Sequence, residues 1–223
     1  DYVYTETEVM TWGSHESRIE AQESRINELE VRCAGFVTPE MFGAKGDGET
    51  NDFNAFEAAL ATGKIVVLGA KPYLLKDSIT ITSPVIGQGA DNTTILFRDL
   101  AANDVNPATG DPVKNFKASY WCTLTGSGKI CDITVKTETG CQCLVCVENS
   151  NGAEVSGCIL ESATNILCKG TFWCDTNNKN FVMRNTTSIC RTTGVGGIWV
   201  RERFADVVSD GITIDGCTII HQG

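Results

Sequence analysis

The sequence predicts an all-β chain whose short strands coil into a stack of similar turns, opened by one short helix and preceded by a longer one. Three observations carry this expectation. From Lys64 on, apolar runs of strand length alternate with Gly, Asn, Asp or Pro. No helical pattern of ten residues recurs among them, which excludes βαβ units. A degenerate repeat runs Ile130-x-x-Ile133-x-Val135, Val155-x-x-Cys158-x-Leu160, Met183-x-x-Thr186-x-Ser188 and Ile214-x-x-Cys217-x-Ile219, with starts 25, 28 and 31 residues apart. That period marks stacked supersecondary units, and all-strand units of this length point to a β-solenoid.

The 223 residues suffice for one large domain or two smaller ones, and 42% hydrophobic residues supply a core. The net charge of -10, from 28 acidic and 18 basic side chains, argues against nucleic acid or an anionic membrane as the main partner. No apolar run approaches the roughly 18 residues of a membrane span, so no membrane insertion is expected. Nothing resembles a signal peptide. The chain opens on Asp1 and closes on Gly223 directly after a strand pattern, which predicts part of a longer protein, with further turns beyond the C-terminus.

Residues 12 to 33 form the first element. Glu16-Ser-Arg-Ile-Glu-Ala-Gln is followed by Glu23-Ser-Arg-Ile-Asn-Glu-Leu, a seven-residue near-repeat. With Ile19 and Ile26 at a positions, Trp12 and Cys33 share their register, and His15, Gln22 and Leu29 fall at d. This reads as a short coiled coil, with Trp12, Ile19, Ile26 and Leu29 as its oligomerisation residues. Isoleucine at a over a polar d layer leans toward a trimer. Cys33 becomes the candidate for an interchain disulfide. A single surface helix is the alternative, since three heptads are marginal alone.

The next segment runs Val37-Thr-Pro-Glu-Met-Phe-Gly-Ala-Lys-Gly-Asp-Gly-Glu-Thr-Asn-Asp-Phe-Asn-Ala-Phe-Glu-Ala-Ala-Leu60. Phe36-Val37 reads as a short strand. Pro39, Gly43, Gly46 and Gly48 impose turns. Asp47 reads as a turn residue rather than a cation ligand. Asn51 or Asp52 is placed to cap a helix, on which Phe53, Phe56 and Leu60 form one apolar stripe. Gly63 is placed to end it.

Strands follow at Ile65–Leu68, Tyr73–Leu75, Ile79–Ile81, Val85–Ile86 and Thr94–Phe97. Residues 98 to 118 read as an inserted polar loop, punctuated by Pro107, Gly110 and Pro112. The expected organisation is a stem over 1–33, opening strand, helix and first turns over 34–97, the loop, and further turns over 119–223.

The segment Phe42-Gly-Ala-Lys-Gly-Asp-Gly48, then Asn51-Asp52, then Ala55-Phe56-Glu57-Ala58-Ala59-Leu60, resembles the start of the pectate-lyase superfamily β-helix that phage tailspikes and tail fibres often carry. The resemblance is strong over residues 37–97 and rests on the repeat alone over 119–223. It implies a single-stranded right-handed parallel β-helix, pectin-lyase-like, with Phe42, Phe53, Phe56 and Leu60 as the cap over its open end. Two departures stand out: Asn51 where the family usually has an aspartate, and Gly69-Ala70-Lys71 where a Pro-x-Gly turn is common. A coiled coil before such a cap resembles the stem of a trimeric tailspike. The implied role is a virion structural and adhesion subunit of a phage tail, assembled in the host cytoplasm and acting outside the cell. Its implied partners are two further copies, other tail or baseplate proteins, and host surface polysaccharide. The alternative is a depolymerase, a hydrolase or lyase acting on capsule or lipopolysaccharide from later turns or between subunits. A secreted lyase is a more distant third.

Glycan hydrolysis needs paired carboxylates about 5 to 9.5 Å apart. A lyase needs a carboxylate cluster with a metal and a basic residue. The acidic residues of the later turns are Glu148, Glu154, Glu161, Asp175, Glu202, Asp206, Asp210 and Asp215. Trp199-Val-Arg-Glu202-Arg-Phe-Ala-Asp206 adds a possible sugar-stacking ring, making Glu202 and Asp206 candidate catalytic residues. The bland alternative, which exposed charge clusters usually follow, makes Trp199 core and the charges a solvated, locally paired loop. Trp173, beside Phe172, is a second stacking candidate with the same alternative. No cofactor or metal motif appears. Gly194-Val-Gly196-Gly197 lacks the following Lys of a phosphate loop. Cys141-x-Cys143-x-x-Cys146 lacks the second pair of a zinc site. Eleven cysteines cannot all pair within one chain. They read as buried thiols of a reducing compartment or, alternatively, as partners in disulfides. Cys158 and Cys217 share a repeat position and are expected to point inward as thiols.

Overall fold

The computed structural model of the chain describes residues 15, 18–20, 22, 35–99, 116–164, 166, 168–191, 197–200 and 209–222, with backbone only at 116–119. The chain divides into two units, 1–36 and 37–223. In the first, His15, Arg18, Ile19, Glu20 and Gln22 have helical backbone and exposed side chains, with Ile19 at 55%. Trp12, Ile26, Leu29 and Cys33 lie outside the described residues.

The second unit is a parallel β-helix of three sheets. The first sheet stacks β1 (Phe36–Val37), β2 (Ile65–Val67), β5 (Pro84–Ile86), β8 (Lys129–Cys131), β11 (Glu154–Ser156), β14 (Val182–Arg184) and β17 (Thr213–Asp215) in that order. The second runs β3 (Pro72–Leu75), β6 (Thr94–Phe97), β9 (Thr134–Thr137), β12 (Ile159–Ser162), β15 (Thr187–Cys190) and β18 (Thr218–His221). The third runs β4 (Ile79–Ile81), β7 (Phe116–Gly126), β10 (Gly140–Ser150), β13 (Cys168–Cys174) and β16 (Ile198–Val200). From β2 on, successive strands of the chain pass to successive sheets, so each pairs with the strand one turn away. The pairings of the first sheet from β2 to β17 are parallel. So are those of the second and of the third.

The repeat seen in the sequence is this register. Ile130 pairs with Val155, Val155 with Met183, and Met183 with Ile214. Ile130, Val155 and Met183 are fully buried, as period-two alternation requires of an inward position. Two residues further on, the chain turns into the second sheet. Asp132, Gly157, Asn185 and Gly216 occupy that corner with φ of 57, 62, 47 and 59°. These are left-handed positions that Gly, Asn and Asp adopt at least cost, which is why these residues punctuate the sequence. Cys158 then points inward as a buried thiol. Cys217, in the same place on the last described turn, is a thiol of intermediate exposure. No described turn stacks beyond β17 and β18 to cover it.

The interior changes character along the coil. The inward pair Tyr73 and Leu75 gives way to Ile95 and Phe97, then Val135 and Thr137, then Leu160 and Ser162, then Ser188 and Cys190. The buried hydroxyls are paired inside: Thr137 Oγ1 donates to the Thr139 carbonyl at 2.6 Å, and Thr171 and Ser188 share a short hydroxyl contact. Buried Asn178 accepts from Ser150 Oγ at 2.8 Å and donates Nδ2 to the Val147 carbonyl at 3.0 Å. Polar residues inside such a stack persist because neighbouring turns satisfy them.

Helix α1 (Phe53–Ala61) buries Ala55, Phe56, Ala59 and Leu60 against the first turns. The Phe56 ring meets Tyr73 edge-on at 5.2 Å. Phe53 packs on the core from its margin, and Phe42 is 41% exposed. Gly63 takes φ 66° just past the helix end, as its position in the sequence predicts. The expected side-chain cap is corrected at Asp52. Its carboxylate, buried at 2% exposure, accepts from the Lys45 and Gly46 amides at 2.8 and 3.0 Å instead of from the helix. Asp52 therefore pins the glycine loop. Asn51 Oδ1 accepts from Phe53 N and Lys76 N, tying the helix start to the end of β3. Asp47 is a turn residue, accepting from Glu49 N, Thr50 N and Thr50 Oγ1, and these bonds lower its pKa to about 2.

Residues 98–118, read from the sequence as one loop, contribute their last three residues to β7, which begins at Phe116. An 11-residue strand can start there because β10, also 11 residues long, offers it a partner along its length.

Candidate functional site on the outer face of the third sheet

Two clusters separate along β10 and β13, with the in-out alternation broken at Leu144 and Val145, adjacent residues that both belong to the core. Val145 and Val147 on β10, with Phe172 and Cys174 on β13, belong to the interior core. Cys143, Cys146 and Trp173 point to the opposite, outer face and form their own buried cluster, with Tyr120 and Trp199 packed against it. The register explains the convergence. Cys143 pairs with Tyr120 on one side and Gly170 on the other, Cys146 with Trp173, and Trp173 with Trp199. Tyr120 on β7, Trp173 on β13 and Trp199 on β16 form an aromatic row that crosses four turns, passing over β10. Tyr120 meets Trp173 edge-on at 5.9 Å, and Trp173 stacks on Trp199 at 5.5 Å and 23°. Gly170 leaves room for this, since a Cβ there would sit 2.5 Å from Trp173 Nε1.

Carboxylates border the row. Glu148 follows Cys146 by two residues on the same face, and Asp175 follows β13 with its amide bonded to the Val147 carbonyl at 2.8 Å. One ligand atom each of Cys146, Glu148 and Asp175 lies within 4.8 Å of the others. Cys146 and Asp175 are buried, and Glu148 is partly so. Tyr120 Oη donates to Asp175 Oδ2 at 3.4 Å. Burial, and then the neighbouring Asp175 charge, push the Glu148 carboxyl above its ordinary range. One carboxyl disposed to hold a proton beside another is the electrostatic pattern of an acid/base pair. The same three side chains have donor types that a divalent cation accepts.

The sequence candidates distribute as follows. Trp173 is 2% exposed and lies between Tyr120 and Trp199, while Trp199 is partly buried. Phe172 does not share a patch with Trp173: it points inward and stacks on Phe181 at 5.5 Å. Glu154 is paired with Lys129 at 3.1 Å and Glu161 with Arg191 at 2.9 Å, and Asp210 and Asp215 are exposed. Glu202 and Asp206 lie outside the described residues. The convergence of Glu148 with Asp175 has a faint sequence signal: each stands one residue after a strand Val or Cys of the same sheet, Val147 and Cys174, but only the register shows that these are neighbours.

No protein-family model matches the chain. Over 84 residues, 34% of the chain, it is 38% identical to a pre-neck appendage protein of Bacillus phage B103, of which it spans 10%. Over 107 residues, 45% of the chain, it is 30% identical to the capsule KN3-specific depolymerase 1 of Klebsiella phage KN3-1, of which it spans 13%. The chain thus matches only about a tenth of the length of these curated relatives. Among solved structures, the Dettilon tailspike protein gp208 is similar over 84% of this chain and 38% of its own, at 14% identity and a TM-score of 0.47. The pre-mature bacteriophage phi29 gene product 12 is similar over 81% of this chain and 35% of its own, at 15% identity and a TM-score of 0.37. The two sequence relationships show the chain to be similar, over part of its length, to a phage pre-neck appendage protein and to a phage capsule depolymerase.

Proposed function

We propose that the chain is a virion subunit of a phage tail that binds host surface polysaccharide. In this reading residues 1–33 are a trimeric coiled-coil stem that engages other tail or baseplate proteins. The β-helix, coiled in the right-handed sense, projects toward the host. The observation supporting this most is the seating of the 42–60 segment over the first turns of a parallel coil, in a chain with phage appendage relatives. The purified protein is then expected to sediment as a trimer and to compete with the intact phage for adsorption to host cells. A monomer in sedimentation, or adsorption unaffected by a large excess of protein, would sink the proposal.

A second reading, depolymerisation of capsule or lipopolysaccharide, is favoured by one feature. Glu148 and Asp175 carry carboxylate oxygens within 4.8 Å of each other beside an aromatic row. That separation is near the roughly 5 Å of a retaining glycosidase. Release of reducing ends from host polysaccharide, lost on Glu148→Gln, would support it. Adhesion without release would favour the first reading.

A further inference from the structure

We infer that Cys141 and Cys168 are a dithiol pair that closes to a disulfide, stapling two consecutive turns of the coil. The two residues are direct partners in the parallel register of β10 and β13. Their sulfurs are 3.7 Å apart, and both side chains are buried in the interior core. Paired residues of neighbouring strands have backbones about 4.8 Å apart, inside the Cα window of roughly 4.4–6.8 Å that a disulfide spans. Bond formation needs the sulfurs to approach to about 2.05 Å, a closure of about 1.7 Å. Rotation about χ1 supplies most of it, because both side chains already point the same way from adjacent turns.

The register singles out this pair. Cys143 faces Gly170 and Tyr120, Cys146 faces Trp173 and Thr123, and Cys174 faces Val147. Cys122 faces Ile79 and Val145, Cys131 faces Ile86 and Ser156, and Cys190 faces His221. Only Cys141 meets another cysteine among these described pairings.

The chemistry is thiol–disulfide exchange with a small-molecule disulfide such as oxidised glutathione. A thiolate of the pair attacks one sulfur of that disulfide and expels one glutathione thiolate. The second cysteine, losing its proton, attacks the resulting mixed disulfide and expels the other. Two protein thiols are oxidised, and the two protons they give up are taken up by the two expelled glutathione thiolates, so that two glutathione thiols are produced. Burial holds the Cys141 thiol well above its ordinary pKa, so the folded pair reacts slowly. The staple therefore forms while the chain folds, before neighbouring turns seal it. It joins residues 27 apart in sequence, one full turn of the coil.

The test is to produce the full chain in cells with an oxidising and with a reducing cytoplasm, alkylate, digest without reductant and map by mass spectrometry. The expected result is a Cys141–Cys168 linked peptide pair in the oxidised protein, two hydrogens lighter than the free peptides together, and none in the reduced protein. The oxidised protein should also melt several degrees higher than the same protein after reduction. Alkylation of both residues in the oxidised protein would overturn the inference, as would linkage of either to Cys190 or another cysteine. Cys168→Ser should abolish the reductant-sensitive part of the melting temperature. Should that variant fail to fold, the peptide map of the unaltered chain still decides.

Discussion

Truncation of Phe56 tests whether α1 closes the open end of the coil or merely decorates it. The ring is fully buried, at 0% exposure, and meets Tyr73 edge-on at 5.2 Å. Phe→Ala in a core costs about 3–5 kcal/mol, combining lost transfer energy with the cavity left behind. Roughly 0.5–1.5 kcal/mol of this is the aromatic pair. Glu57→Ala, exposed on the same helix, supplies the control and is expected to stay within about 0.5 kcal/mol. Guanidinium titration of the full chain, followed by tryptophan fluorescence, reads the difference. For a slope of about 4 kcal/mol/M, the midpoint of Phe56→Ala should fall by about 1 M. Hydrogen exchange should accelerate first in β2 and β3, because a stack of turns opens from an uncovered end. A midpoint shift indistinguishable from that of Glu57→Ala would refute the cap, as would accelerated exchange confined to the far turns.

Gly128→Ala should cost at least about 3 kcal/mol, since overpacking alone costs about 1–3 and its Cβ would lie 2.1 Å from the Ile81 carbonyl oxygen, a backbone atom that cannot swing away. Thermal melting checks this. Asp47 is an acid whose folded pKa, about 2, lies below its ordinary 3.8. Its stabilising effect is therefore complete above about pH 4 and disappears as pH falls toward 2. Asp47→Asn should flatten the acid side of the melting profile in that window and not above it. Glu148 has the opposite sign. Its pKa is raised, so ionisation costs the folded state stability, and that cost is fully present once pH exceeds the folded pKa. Glu148→Gln should raise the melting temperature at neutral pH and leave it unchanged below the ordinary value of 4.5. An equal gain at both pH values would show that the effect is steric.

Much of the coil was legible before any coordinates. The strands over 65–97 stand where alternation and turn residues put them, and the repeat beginning at Ile130 is the observed register of the first sheet. Local physics suffices there: a left-handed corner admits few residue types, and an inward position admits few polar ones. The role of Asp52 was not legible, because a carboxylate before a helix has two competing uses and only the fold of the glycine loop selects between them. Phe172 and Trp173 looked like one patch, but adjacent residues on a strand face opposite ways.

The amino-acid sequence by itself determined the period of the coil, its inward positions, its starting segment and its kinship with phage appendages. Each of these is written in residues close together in the chain or repeated along it. Tertiary structure decided which side chains meet across turns: Cys141 with Cys168, Glu148 with Asp175, and Trp173 with Tyr120 and Trp199. The physical reason is that each of these meetings spans 26 to 53 residues. A slip of one residue in the parallel register would turn every one of these side chains to the other face. That register is set by the whole stack of turns and by no single segment.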